Sequence, residues 1–168
     1  DYVDVLLVHE ANDDIVFGPE STAVFSDLKK AGLVRAVGLS TYGPEQTQNV
    51  IDSGNWDVVQ LVLNMMDQRN AEMLPVAEEK GIGIMTRSVL LKGILTDKGA
   101  HLHEKLRPVQ EHRKRYLELL RPSWPKISDL ATKFVLSHKQ ISSVLVGMDR
   151  QEHLRQALKA ADGEYLDA

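Results

Sequence analysis

The sequence predicts an α/β protein: about five parallel strands with covering helices, forming a partial (β/α)8 TIM barrel. Three observations predict it. Short runs rich in valine and leucine alternate with stretches whose apolar residues recur at helical spacing. The runs are apolar at successive positions rather than every second one, as in parallel strands covered on both faces. No GxGxxG turn follows the first run, which lowers the competing doubly wound, dinucleotide-binding sheet.

The elements follow in order. Val3 to Val8 is the first strand, closed by His9 and bracketed by Asp4 and Asp13-Asp14. Ser21 to Ala31 carries Val24, Phe25 and Leu28 on one helical face, with Gly32 as a carboxyl cap. Val34 to Leu39 is a second strand, and Pro44 and Gly54 mark the start and stop of a second helix. Asp57 to Leu63 is a third strand, Ala71 to Lys80 a helix ended by Gly81, and Ile82 to Thr86 a fourth strand. Residues 91–126 break the rhythm: the segment is long and charged and holds Pro108, Pro122 and Pro125. Ile127 to His138 then places Ile127, Leu130, Ala131, Phe134 and Val135 on one face of an amphipathic helix. Ser142 to Val146 is the fifth strand and Gln151 to Ala160 the closing helix. Five strands joined by long crossovers require parallel pairing. No linker divides residues 1–168, so a single domain is expected.

Composition narrows the function classes. The chain has 168 residues, 43% hydrophobic and 26% charged, ordinary values for a globular protein. A net charge of −4 gives no electrostatic footprint for nucleic acid. No apolar run approaches the roughly 18 residues a membrane span needs. Without cysteine there is no thiolate metal site or disulfide framework, which fits a cytoplasmic location. The sequence opens on Asp1 rather than methionine and enters a strand at once, so preceding residues are expected.

Five stretches then stand in a telling order: DYVDVLLVHE, LKKAGLVRAVGLSTY, VVQLVLNMMDQRN, GIGIMTRSVLLKGILT and LATKFVLSHKQISSVLVGM. Their order and spacing resemble strands four to eight of the aldo-keto reductases and cover nearly the whole chain. The resemblance implies a (β/α)8 barrel that passes hydride between a nicotinamide cofactor and a carbonyl carbon. In that family a tyrosine protonates the carbonyl oxygen, a lysine and an aspartate tune it, and a histidine positions the carbonyl. The resemblance places His9 at the histidine position. The other three belong to the family's first three strands, and none of Tyr2, Tyr42, Tyr116 or Tyr165 stands in an Asp-x4-Tyr-Gly context. This chain alone is therefore expected to lack reductase activity.

The cofactor residues follow from the same resemblance. Ser40 and Thr41 stand where the family has Ser-Asn against the nicotinamide carboxamide, and Gln60 matches its glutamine. A hydroxyl and a side-chain amide supply the donor and acceptor that an amide ligand needs. Thr41 has a second reading, as a cap for the Pro44 helix. Arg87 stands where relatives stack a planar group on the nicotinamide, or it is a surface salt-bridge residue. Ser88 to Gly93, including Leu90, matches the loop beneath the pyrophosphate. Gly147 and Asp149, with His153, Gln156 and Ala157 further on, stand at the adenosine end but depart from the family's series, and Arg150 would offset Asp149. NADP is expected by family habit, with NAD open because Asp149 is a carboxylate where a 2′-phosphate would lie. On residues alone, His9 reads first as a histidine hydrogen-bonded in a helix–sheet interface. His101, His103, Glu104 and His112 read as a solvated loop-to-helix segment, Met65-Met66 as core, and no metal site is expected.

Expected partners are a small carbonyl substrate in a complete barrel, and either a second copy or an amino-terminal half. The alternative function is a non-catalytic cofactor-binding or interaction module derived from the family.

Overall fold

Each strand of the sheet lies beside the one that precedes it in the chain. The computed structural model describes residues 1–10 and 12–166. Its sheet has five strands in spatial order β1 (Val3–Val8), β2 (Val34–Ser40), β3 (Val58–Val62), β4 (Gly83–Arg87) and β5 (Ile141–Val144). Val5 pairs with Ala36 and Leu39 with Val59, both in parallel register. A doubly wound sheet reverses its strand order at a switch point. No reversal occurs here, so the sheet fits five consecutive strands of a (β/α)8 barrel.

Contacts divide the chain into two compact units. The first holds Asp1–Val62, Gln68–Thr86 and Gln140–Ser143. Its helices are α1 (Asp13–Phe17), α2 (Pro19–Lys30), α3 (Pro44–Ser53) and α4 (Met73–Glu79). Its core gathers Val37, Leu39, Val50, Ile51, Val59, Leu61, Leu74, Ala77 and Ile84, all buried. Gly38 lets the strands approach: a Cβ there would lie 2.3 Å from the Val58 carbonyl oxygen and 2.7 Å from Leu7 Cδ2. Trp56 Nε1 donates to the Val16 carbonyl at 3.2 Å, and its ring meets Phe25 edge-on. Asp57 accepts from Lys29 Nζ at 2.7 Å and from the Val37 N–H at 2.9 Å.

The second unit holds Leu63–Asp67, Arg87–Lys139 and the chain from Val144 onward. It carries helices α5 (Arg107–Leu117), α6 (Ile127–Leu136) and α7 (Gln151–Ala160). Met65, Leu95, Trp124, Ile127, Leu130 and Ala131 form its core, so Met65 is core as its composition suggested. Lys133 on α6 is buried, donates to Asp162 Oδ1 at 2.6 Å, and lies over the rings of Trp124 and Tyr165.

Several boundaries differ from the sequence reading. Helix α1 was not expected; Asn12 caps it by accepting from the Ile15 N–H at 3.0 Å. Helix α2 begins at Pro19, two residues before Ser21, because proline is preorganised for a first helical position. Helix α5 lies inside the segment left irregular, and only Arg113 of its residues is buried. The fifth strand ends at Val144 rather than Val146.

Candidate functional site

Neighbouring residues on a strand point to opposite faces. That rule separates Ser40 from Thr41 in the first unit. Ser40 pairs in register with Gln60, and its Oγ donates to Gln60 Oε1 at 3.2 Å. Gln60 Nε2 then remains the donor of this pair. Thr41 is 0% exposed, with Oγ1 2.7 Å from Thr47 Oγ1 on α3. Thr47 bonds onward to Asn70 Oδ1 at 3.0 Å, and Asn70 Nδ2 donates to the Val62 carbonyl at 3.0 Å. Ser40 is buried as well, at 2% exposed, so both hydroxyls lie inside the first unit.

His9 follows β1, and its side chain is 84% exposed. Its Nδ1 lies 3.9 Å from Glu10 Oε1, which also accepts from the Tyr42 hydroxyl at 3.2 Å. With its side chain in the open, His9 does not pack into a helix–sheet interface.

The second unit contains a cleft of about 680 Å³, within the range of small-molecule sites. One wall is the loop Ser88 to Gly93, with Thr96 to Lys98 behind it. The backbone passes from φ −93° at Leu90 to +45° at Leu91, then +52° at Lys92 and +91° at Gly93. Within this loop the Leu91 and Gly93 N–H groups donate to the Ser88 and Leu90 carbonyls, each at 2.9 Å. The other wall is the turn Leu145 to Asp149 with Glu152, His153, Gln156 and Ala157 of α7. Of the sequence-derived residues, Ser88, Leu90, Gly93, Gly147 and Asp149 line this cleft. Arg87, half-buried at the end of β4, donates to Ser88 Oγ at 3.4 Å. Arg150 precedes α7 as its cap residue and does not line the cleft.

One residue that matters here was missed. Arg113 is 5% exposed and donates from Nε to the Ile94 carbonyl at 2.9 Å and from a terminal nitrogen to the Thr96 carbonyl at 2.8 Å. It fixes the chain that continues from the Ser88–Gly93 loop. Gln156 donates to Ser128 Oγ and Asp129 Oδ1, each at 2.7 Å, joining the two helices of the far wall. The only sequence signal for α5 was Pro108 at a first turn.

The histidine-rich segment is structural. His103 Nδ1 accepts from the Lys105 N–H at 3.2 Å, and His112 Nε2 lies 2.9 Å from the Tyr116 hydroxyl. Tyr116 also donates to the Met65 carbonyl at 2.8 Å, and burial pushes its phenol above the ordinary value. Among the described residues, no three His, Asp or Glu side chains gather as a metal site. No helix among them is long and apolar enough to cross a membrane.

Comparison with known proteins adds a family. The model of the aldo/keto reductase family matches residues 1–168. L-galactose dehydrogenase of Arabidopsis thaliana is 28% identical over 172 residues, covering 95% of this chain and 53% of that protein. An NADH-specific methylglyoxal reductase of Escherichia coli is 25% identical, covering 100% of this chain and 57% of that protein. The chain therefore spans little more than half the length of these curated relatives. Among solved structures, an apo aldo-keto reductase of Bacillus halodurans superposes with a TM-score of 0.82 at 20% identity, over 100% of this chain and 59% of that one. A glycerol dehydrogenase of Gluconobacter oxydans gives 0.77 at 18% identity, over 99% and 55%.

Proposed function

This chain belongs to the aldo/keto reductase family, and from that premise we propose that it is the carboxyl-terminal part of an NAD(P)H-dependent aldo-keto reductase. It corresponds to strands four to eight of the family barrel. The observation that carries the reading is the cleft of the second unit, where Lys92 and Lys98 on the loop wall face the turn Gly147 to Asp149. Its volume and its lysines fit the diphosphate and adenosine of a dinucleotide. The Ser40–Gln60 pair fits a carboxamide, with one hydroxyl and one amide nitrogen at adjoining register positions.

When bound, the dinucleotide supplies the hydride that turns a carbonyl carbon into an alcohol carbon. Within the second unit, Ser88, Leu90 and Gly93, with Lys92 beside them, would line the place of its diphosphate. His9, exposed after β1, donates a hydrogen bond to the carbonyl oxygen of a small substrate. A proton must still reach that oxygen, and no tyrosine of this chain stands in the family's Asp-x4-Tyr-Gly context. Tyr116 is committed to the Met65 carbonyl and Tyr42 to Glu10, while Tyr165 covers Lys133. A positioned general acid typically contributes 10²–10⁴-fold, so this chain alone is inactive.

The missing groups come from an amino-terminal half. β1 is an edge of the sheet, and Val3 and Val5 on it are 50% and 38% exposed. An apolar edge of this kind is suited to pairing with a further strand. A second copy is the other candidate for that edge. The absence of cysteine supports a reducing, cytoplasmic setting. One observation favours a second reading, a non-catalytic cofactor-binding module: the cleft is complete within a single unit, whereas the proton donor is lacking.

The test is titration of the 168-residue chain with NADH and NADPH, followed by cofactor fluorescence, alongside an aldehyde reduction assay. Binding without turnover is expected, with turnover appearing when the amino-terminal strands are supplied. Unaided aldehyde reduction refutes the division of labour. Failure to bind either cofactor refutes the dinucleotide reading.

A further inference from the structure

We infer that this chain selects the dinucleotide that lacks a 2′-phosphate, and that Asp149 and Glu152 make the selection. The inference rests on the dinucleotide reading above. Within the cleft, the diphosphate is matched to the loop wall, which Lys92 and Lys98 line. That leaves the turn Gly147 to Asp149 and the start of α7 for the ribose and adenine. Both carboxylates of that wall, Asp149 and Glu152, line the cleft.

Their position on the helix strengthens the argument. The N-terminus of a ten-residue helix is a place where a phosphate would ordinarily be welcome. Here Asp149 immediately precedes the cap residue, and Glu152 lies in the first turn. The chain's own anions already occupy the favourable end of the helix dipole. A 2′-phosphate would be a third anion there. Arg150, which would offset them, does not line the cleft, and Lys126 lines it at the start of α6.

Asp149 is also held in place. His153 Nδ1 lies 2.8 Å from Asp149 Oδ1, one helical turn along. The second oxygen, Oδ2, is the acceptor left for a ribose hydroxyl. A carboxylate at such a position accepts from the 2′-OH of an unphosphorylated ribose.

The experiment uses ADP-ribose and its 2′-phosphorylated form, which lack nicotinamide and so report on this cleft alone. Calorimetric titration of the 168-residue chain at pH 8 and low salt is expected to show ADP-ribose binding about tenfold tighter, the scale of a doubly charged group meeting a carboxylate near water. In Asp149→Ser the preference should fall to near unity or invert, and in Glu152→Gln it should narrow. Circular dichroism checks that both variants fold, which is expected because both residues are exposed. Equal or tighter binding of the phosphorylated form overturns the selectivity and leaves the dinucleotide reading standing. Binding of neither compound overturns both.

Discussion

Replacing Arg113 with methionine removes two charge-assisted hydrogen bonds while keeping most of the side chain's volume. Nε and a terminal nitrogen reach the carbonyls of Ile94 and Thr96 at 2.9 and 2.8 Å. Hydrogen bonds to charged groups contribute about 1.5–3 kcal/mol each. Ile94 and Thr96 are half-buried, so water can reclaim part of the loss. The lower figure applies, and the pair together contributes about 3 kcal/mol. Nothing else fits the space: a Cβ on Gly99 would lie 1.9 Å from the same Ile94 oxygen and 2.8 Å from Arg113 Nε. A loss of that size is a large share of the 5–15 kcal/mol available to a domain. Urea unfolding of Arg113→Met should show it. Hydrogen exchange should show the Gly99 amide, bonded to the Thr96 carbonyl at 3.0 Å, losing protection early. Arg115→Met on the exposed side of the same helix should stay within about 0.5 kcal/mol of the parent. If Arg113→Met is as stable as Arg115→Met, with Gly99 protection unchanged, the loop is not held by this guanidinium.

Gly38→Ala places a methyl against the Val58 oxygen and Leu7, so urea unfolding should show a loss of about 3 kcal/mol; Gly43→Ala, which meets nothing within 4 Å, should be nearly neutral. Thr86 Oγ1 is buried without a hydrogen-bond partner, so Thr86→Val, of nearly the same shape, should raise stability by about 1 kcal/mol in the same assay. The Lys133 ammonium bonded to Asp162 holds that carboxyl below its ordinary value of 3.8. Its contribution is present above pH 3.8 and is lost as pH falls through the lowered value, because the unfolded chain takes up the proton first. Trp124 fluorescence should report this step below pH 3.8, since Lys133 lies over that ring, and the step should vanish in Asp162→Asn.

The sheet was legible in the sequence because its signal is local: each strand holds a short cluster of apolar residues, and all five strands lie within a few residues of where they were expected. Helix α5 was not, because only Arg113 among its residues is buried, so its sequence carries no apolar stripe. α1 is five residues long, too short to display a period, although Asn12 ahead of two aspartates was a readable cap. Motif position groups Thr41 with Ser40, and only the folded chain shows that both are buried, Thr41 in a network with Thr47 and Asn70. Asp149 and Arg150 stand one residue apart, and only coordinates show that the carboxylate lines the cleft.

The sheet's order carries a consequence for synthesis. A nascent chain can dock each new stave on the one just finished, without waiting for distant sequence to emerge from the ribosome. Growth of this kind can pause between staves with little harm to what has already formed. Ancestral genes cut and rejoined at such pauses would therefore yield pieces that hold their shape.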